Sequence, residues 1–318
     1  MAELRKLSWR ARMKRRFLFH LEYSIVMMMK CFDVGLRAMG PIFVCFAITL
    51  ISGVIWTWFT YILHKISDEG TWLRYFHLAI AFTLIFNVLY NYIATVLTPP
   101  GFPTDEYEDP PVDIEARTAE AVQFHIDGFG RWCKKCRKAK PPRTHHCSIC
   151  RRCVLKMDHH CPWVAQCVGF RNYRTFFLFM FWLWVGCIYV LMTMAPSFLL
   201  HFRVRRHNQE QSAVVFSCIL AFSVSLAVGF LLSWHFYLIL TGQTTIEWYN
   251  NRMRSAEAKK AGMVYHNPWD LGYHENLSAV LGSKYCQNNP LLWFLPTLSS
   301  PLGDGCAFPH RYTRRLAG

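Results

Sequence analysis

The 35-residue segment Cys133–Cys167 reads CKKCRKAKPPRTHHCSICRRCVLKMDHHCPWVAQC and holds seven of the thirteen cysteines and four of the fourteen histidines. Cysteines separated by two residues let one short turn deliver two thiolates to a tetrahedral ion, the spacing of zinc ligands. With Cys161 set aside, Cys133, Cys136, Cys147, Cys150, Cys153 and Cys167 remain. Two histidines drawn from His145, His146, His159 and His160 complete eight ligands, enough for two closed Cys3His sites. Spacing does not choose among the four. A closed site has no open coordination position, so metal held this way folds the segment and does not react.

Cys161 is then a surplus thiol, in sequence beside Asp158, His159 and His160. A cysteine nucleophile needs a neighbouring base or a lowered pKa, and the base needs a group that orients it. Cys, His and Asp are the residue types for that arrangement. Lys134, Lys135, Arg137, Lys138, Lys140, Arg143, Arg151 and Arg152 surround it and favour a thiolate. The competing reading keeps Cys161 as a spare zinc ligand.

The elements that must hold this segment are apolar. The 318 residues are 53% hydrophobic and only 17% charged, which argues against an ordinary soluble domain. Four stretches are long enough to cross a bilayer: residues 39–63, 76–97, 176–200 and 213–240. The spacing therefore predicts an all-α polytopic membrane protein with four transmembrane helices and a zinc-binding, cysteine-rich domain between the second and third. The expected units are a basic N-terminal segment (1–38), a first transmembrane hairpin (39–97), a linker with the cysteine-rich domain (98–175), a second hairpin (176–240) and a tail (241–318). The net charge of +15 resolves by side. Lys and Arg number nine in residues 1–38, thirteen in 98–174 and eight from 241 onward, against two and three in the opposite loops. By the positive-inside rule the termini and the cysteine cluster face the cytosol, and a reducing compartment suits free thiols.

Several smaller readings follow. Phe17, Leu21, Ile25, Met28 and Phe32 recur at helical spacing behind Arg12, Lys14, Arg15 and Arg16, as in a helix lying on an anionic leaflet. His20, Glu22 and Lys30 interrupt that run, which does not read as a signal peptide. Cys45, Cys187 and Cys218 lie within apolar runs as inert buried thiols, and Cys31, Cys286 and Cys306 receive no role. Asn87 and Asn91, one turn apart, are expected to bond between helices. Thr98-Pro99-Pro100-Gly101 ends the second span, and a polar linker with Asp105, Glu106, Glu108 and Asp109 follows. Asn276-Leu277-Ser278 is a glycosylation sequon on the cytosolic tail, so a glycan there would overturn the topology.

Taken together, Cys133-x2-Cys136-x9-His146-Cys147-x2-Cys150-x2-Cys153, then Asp158-His159-His160-Cys161, Cys167, Asn172 and Phe176, resemble the DHHC family of integral-membrane protein S-acyltransferases (palmitoyltransferases). Thr244-Thr245-Ile246-Glu247 matches that family's Thr-Thr-x-Glu motif, and Asn267-Pro268-Trp269 is similar to its tail motif. The resemblance covers roughly residues 40 to 275. It implies one structural zinc on Cys133, Cys136, His146 and Cys153, and a second on Cys147, Cys150, His160 and Cys167. It implies Cys161 as the acylated nucleophile, His159 as its base and Asp158 orienting that base. His145 is left as a solvated or hydrogen-bonded loop residue.

The implied donor is a fatty acyl-CoA such as palmitoyl-CoA, and the implied acceptors are cytosol-facing cysteines of membrane-associated proteins. Lys140, Arg143, Arg151 and Arg152 are expected to meet the CoA phosphates, with Thr245 at the same site close to Asp158. A cavity among the spans is expected to take the acyl chain, with Trp182 or Tyr189 setting its length. The setting implied is the endomembrane system, the ER or Golgi. The sequence departs from the family at Ala165 and Gln166, where two asparagines are usual.

Two other classes compete. A membrane-anchored RING-like ubiquitin ligase also uses paired zinc sites, but it lacks any use for Asp158 or Thr245 and needs a further terminal Cys-x2-Cys pair that is missing here. A zinc-ribbon module fits the charge, but nearly no aromatics interleave between Cys133 and Cys161 for base stacking, and no nucleic-acid partner is expected.

Overall fold

A computed structural model describes residues 9–104, 107, 131–201, 209–282, 289–297 and 301–311. The linker acids Asp105, Glu106, Glu108 and Asp109, the loop at 202–208 and Cys286 lie outside the described residues. Among the described residues, four helices are long and apolar enough to cross a membrane. The first is α1 (Trp9–Thr57), which runs through a π-helical turn (Trp58–Ile62) into the short α2 (Leu63–Ile66). Then come α3 (Trp72–Leu97), α4 (Tyr173–His201) and α5 (Gln209–Leu240). Two tail helices follow, α6 (Thr245–Lys260) and α7 (Tyr273–Leu281).

The basic segment from Trp9 onward and the first span, read from the sequence as two units, run as one continuous helix of 49 residues. Pro41 lies inside it and does not end it, since a membrane helix tolerates proline where its surroundings satisfy the freed carbonyl. At 1.5 Å per residue this helix is about 74 Å long, more than twice the ~30 Å bilayer core. Gly40 marks where it passes the cysteine-rich segment. A Cβ at Gly40 would fall 2.8 Å from that of Ala165, so only glycine lets the two backbones meet here.

Asn87 and Asn91 depart from expectation. Their amides donate within α3, to Thr83 O and Asn87 O, each at 2.8 Å, and not to another helix. A side-chain N–H four residues on always finds a helical carbonyl, so this bond forms before any tertiary one.

The cysteine-rich segment is built from three two-stranded antiparallel hairpins: β1 (Arg131–Cys133) with β2 (Lys138–Lys140), β3 (His145–Cys147) with β4 (Arg152–Val154), and β5 (His159–Cys161) with β6 (Gln166–Val168). Strands this short bury little by themselves, and the second and third hairpins share only a small cluster of Cys147, Val154, Met157 and Cys167. The third hairpin also shares a core with the spans, in which Cys161, Val164 and Val168 pack with Tyr92, Phe176, Phe177, Met180 and Ile239. Tail residues Leu281 and Trp293 close the same cluster. Arg174 anchors the tail, donating to the carbonyls of Leu281 (2.9 Å), Trp293 (3.0 Å) and Leu295 (3.1 Å) and to Thr297 Oγ1 (2.8 Å).

Candidate functional site

The hairpins repeat every 14 residues, and the repeat explains the ligand sets. Cys133, Cys147 and Cys161 end the first strand of successive hairpins, and Arg137, Arg151 and Ala165 occupy the same left-handed turn position, with φ of 55°, 58° and 57°. His146 pairs across its hairpin with Cys153, and His160 with Cys167. Each candidate metal site takes the turn cysteines of one hairpin and the cross-strand His–Cys pair of the next. Cys133, Cys136, His146 and Cys153 form one group, and Cys147, Cys150, His160 and Cys167 the other, with all donor atoms of a group within 4.8 Å of one another. Sequence spacing left four histidines in competition. The fold chooses His146 and His160, because only they lie opposite a cysteine.

The donors fit zinc. Bond lengths of about 2.3 Å to sulfur and 2.0–2.1 Å to nitrogen in a tetrahedron put ligand atoms roughly 3.5–3.8 Å apart. The observed separations run from 3.2 Å (Cys136 Sγ to His146 Nδ1) and 3.3 Å (Cys150 Sγ to His160 Nδ1) through 3.5 Å (Cys133 Sγ to His146 Nδ1, Cys150 Sγ to Cys167 Sγ) to 3.7 Å (Cys136 Sγ to Cys153 Sγ) and 3.8 Å (Cys147 Sγ to His160 Nδ1), which brackets that range. The third hairpin has Val164 at the turn position that Cys136 and Cys150 hold in the others. Cys161 therefore has the place of a zinc cysteine with no partner thiol at its turn.

Beside Cys161 the chain assembles an acid and a base. His159 Nδ1 lies 2.7 Å from Asp158 Oδ2. Thr245, the first residue of α6, fixes that carboxylate twice: its N–H donates to Oδ1 and its hydroxyl to Oδ2, both at 2.9 Å. Burial alone would raise the Asp158 carboxyl, but the His159 hydrogen bond and charge and the Thr245 N–H hold it below its ordinary value. Burial likewise pushes His159 down, yet its bonds to Asp158 and Cys161 prevail and lift it to about 9. An imidazolium held this way stabilises a neighbouring thiolate.

Cys161 and His159 also line an apolar cavity of about 440 Å³ between the spans, with Trp163, Phe176, Leu183, Val228 and Tyr189. That volume is in the range of small-ligand sites. Along the first span the lining runs from Ala47 on α1 to Phe59 in the π-helical turn, about 18 Å of helix. At the far end Trp58 Nε1 donates to Thr193 Oγ1 at 3.0 Å. Tyr189 lines the cavity. Trp182 does not, and its indole N–H donates to Phe294 O in the tail at 3.3 Å.

The basic set divides. Arg151 and Arg152 are exposed and Lys140 half-buried at the hairpin surface, with Arg152 lying 3.6 Å over the Phe102 ring. Arg143 turns inward instead. Its guanidinium grips Glu247 through two bonds of 2.6 Å, donates to Gly242 O at 3.0 Å, and rests over the Trp269 and Phe308 rings. With Nε and Nη2 engaged, Arg143 clamps the hairpin to α6. Thr245 is likewise committed to Asp158.

Two residues without a role in the sequence reading emerge here. Gln166 Nε2 faces the last carbonyls of α3, Thr95 O (2.6 Å), Val96 O (2.9 Å) and Thr98 O (3.0 Å), so the residue replacing the usual asparagine caps the second span. His235 on α5 is 2% exposed and brings a ring nitrogen within 4.8 Å of the Asp158 and His159 donors. An imidazole inside an apolar span was the available signal for it.

Residues 126–252 match the family model described as DHHC palmitoyltransferase. The chain is similar to "Probable protein S-acyltransferase 16" of Arabidopsis thaliana, 38% identical over 238 residues that cover 72% of this chain and 79% of the relative. It is 36% identical over 299 residues to "Putative ZDHHC-type palmitoyltransferase 4" of Dictyostelium discoideum, covering 88% and 79%. With mouse "Palmitoyltransferase ZDHHC20" it shares 32% over 302 residues, covering 81% and 75%.

Proposed function

The chain belongs to the DHHC palmitoyltransferase family, and from that premise we propose how its residues carry the reaction. It is a multi-pass membrane protein S-acyltransferase. The observation that carries the residue-level reading is the position of Cys161. It lies at the wall of the apolar cavity, beside an imidazole held by Asp158.

The Cys161 thiolate attacks the carbonyl carbon of a fatty acyl-CoA thioester. A new C–S bond forms, the bond to CoA sulfur breaks, and the leaving thiolate takes the proton from the His159 imidazolium. In the second step a cysteine thiol of a membrane-associated protein gives its proton to His159 and attacks the acyl-Cys161 carbonyl. Acyl-cysteine forms on the acceptor, and Cys161 leaves as the thiolate. Asp158, held by Thr245, keeps His159 Nδ1 engaged so that its other nitrogen serves the sulfur atoms. The acyl chain occupies the cavity, where each buried CH2 contributes about 0.8 kcal/mol. Lys140, Arg151 and Arg152 are the surface cations assigned to the CoA phosphates.

Cys133, Cys136, His146 and Cys153 would hold one zinc, and Cys147, Cys150, His160 and Cys167 the other. Zinc bound there supplies tetrahedral cross-links that fold the hairpins and leaves no open position for substrate. The active face is cytosolic by charge asymmetry. The ER or Golgi is the compartment assigned. The test is incubation with labelled palmitoyl-CoA followed by hydroxylamine. Wild type acquires a hydroxylamine-labile label and Cys161→Ser does not; equal labelling of the two would refute the scheme.

A further inference from the structure

The apolar stretch 213–240 contains no Asp, Glu, Lys or Arg and a single histidine, His235. An imidazole in a membrane span is costly unless a polar partner satisfies it. A phenylalanine would fill much the same volume at lower cost, so the ring nitrogens demand an explanation. One is bonded: Tyr173 OH, at the start of α4, lies 2.9 Å from His235 Nδ1. The ring then stands against the base of the proposed mechanism, with centroids of His235 and His159 5.8 Å apart. Phe176 completes the frame, 5.3 Å from His159 and 5.4 Å from His235, edge-on to both.

The hydrogen bond to Asp158 fixes one nitrogen of His159 but leaves its ring free to tilt about that bond. Contact with Phe176 and His235 removes this freedom. We propose that Tyr173 and His235 are a positioning pair, which holds the His159 ring in the plane that keeps its second nitrogen on Cys161. Asp158, His159 and His235 have donor atoms at metal-binding separations. Both Asp158 oxygens and His159 Nδ1 are, however, already joined to one another and to Thr245, so the group is built as a hydrogen-bond network and not as a third metal site. Neither Tyr173 nor His235 lines the acyl cavity, which separates positioning from substrate binding. The inference rests on His159 being the base.

The test uses full-length protein in lipid nanodiscs and follows single-turnover acyl-enzyme formation across palmitoyl-CoA concentrations. His235→Phe is expected to lower the maximal rate by about tenfold to a hundredfold, the cost of a misplacement near 1 Å, with the half-saturating concentration unchanged. Tyr173→Phe acts in the same direction, and His235→Gln, which keeps a hydrogen-bonding group, restores most of the rate. Zinc stays at two per chain, and His235→Gln, which keeps a partner for Tyr173, holds the wild-type thermal midpoint. A wild-type rate in His235→Phe overturns the proposal, as does a rate loss accompanied by lost zinc or a lower midpoint in all three variants. Three zincs per chain, falling to two in His235→Gln, overturns it in favour of a metal site. His159→Ala is run alongside. If it still forms acyl-enzyme, the base assignment itself fails; if it is inactive while His235→Phe is not, only the positioning role fails.

Discussion

Arg143→Ala removes more than a charge. The guanidinium makes two 2.6 Å bonds to Glu247 and one to Gly242 O, all in a region where the two side chains are 6% and 9% exposed. Burial alone would raise the Glu247 carboxyl, but the Arg143 charge and hydrogen bonds keep it ionised. Without Arg143 that carboxylate stays buried, accepting only from Thr244 N (2.8 Å). Breaking a buried pair from one side costs about 3–5 kcal/mol, and Glu247→Ala, which strands the guanidinium, should cost the same. Removing both leaves neither charge stranded, so the double variant should lose little more than either single one. That coupling is on the order of 3 kcal/mol. Unfolding in detergent micelles, measured across wild type, the two single variants and the double, reads it directly. Because Glu247 caps the helix that carries Thr245, acylation falls with stability. Additivity to within about 0.5 kcal/mol would refute the clamp.

Thr245→Val keeps the backbone bond to Asp158 but deletes the 2.9 Å hydroxyl bond. A hydrogen bond to a charged group contributes about 1.5–3 kcal/mol, so acyl-enzyme formation should slow by at least tenfold, while Thr245→Ser stays near wild type. The His159 value of about 9 lies above its ordinary 6.5. The pair's contribution to stability is therefore complete below about pH 6.5 and lost as pH rises through about 9. The acylation rate should hold to that point and fall beyond it, with Asp158→Asn moving the fall to lower pH. Ala165 sits at φ 57°, where a Cβ costs roughly 1–2 kcal/mol. Ala165→Gly should raise the unfolding midpoint and partly relieve Gly40→Ala, whose new methyl meets Ala165 Cβ at 2.8 Å and its Cα at 3.1 Å.

Patterns within one element were legible in the sequence: four apolar runs, the two-residue cysteine gaps, and the surplus thiol beside Asp158 and His159. Pairings across the chain were not. Arg143 and Glu247 are 104 residues apart, and nothing local distinguishes Arg143 from Arg151 or Arg152, whose side chains stay at the surface. Spacing left four histidines open; the family resemblance named His146 and His160, and strand register gives the physical reason by placing them opposite Cys153 and Cys167. The 14-residue repeat was present in the letters, but it carries meaning only once Cys161 is seen to end a strand as Cys133 and Cys147 do. Gln166 looked like a departure from pattern. It gained a role from the end of α3, which the sequence places about 70 residues earlier.

The central claim is that one cysteine of the seven in this segment carries the acyl group while six hold metal. Incubating the full-length protein with palmitoyl-CoA, digesting it without reductant and mapping the modified peptide by mass spectrometry tests this directly. The expected result is a single palmitoyl group on Cys161, with two zincs still bound per chain. A palmitoyl group on any of the six assigned ligands with Cys161 unmodified would contradict it.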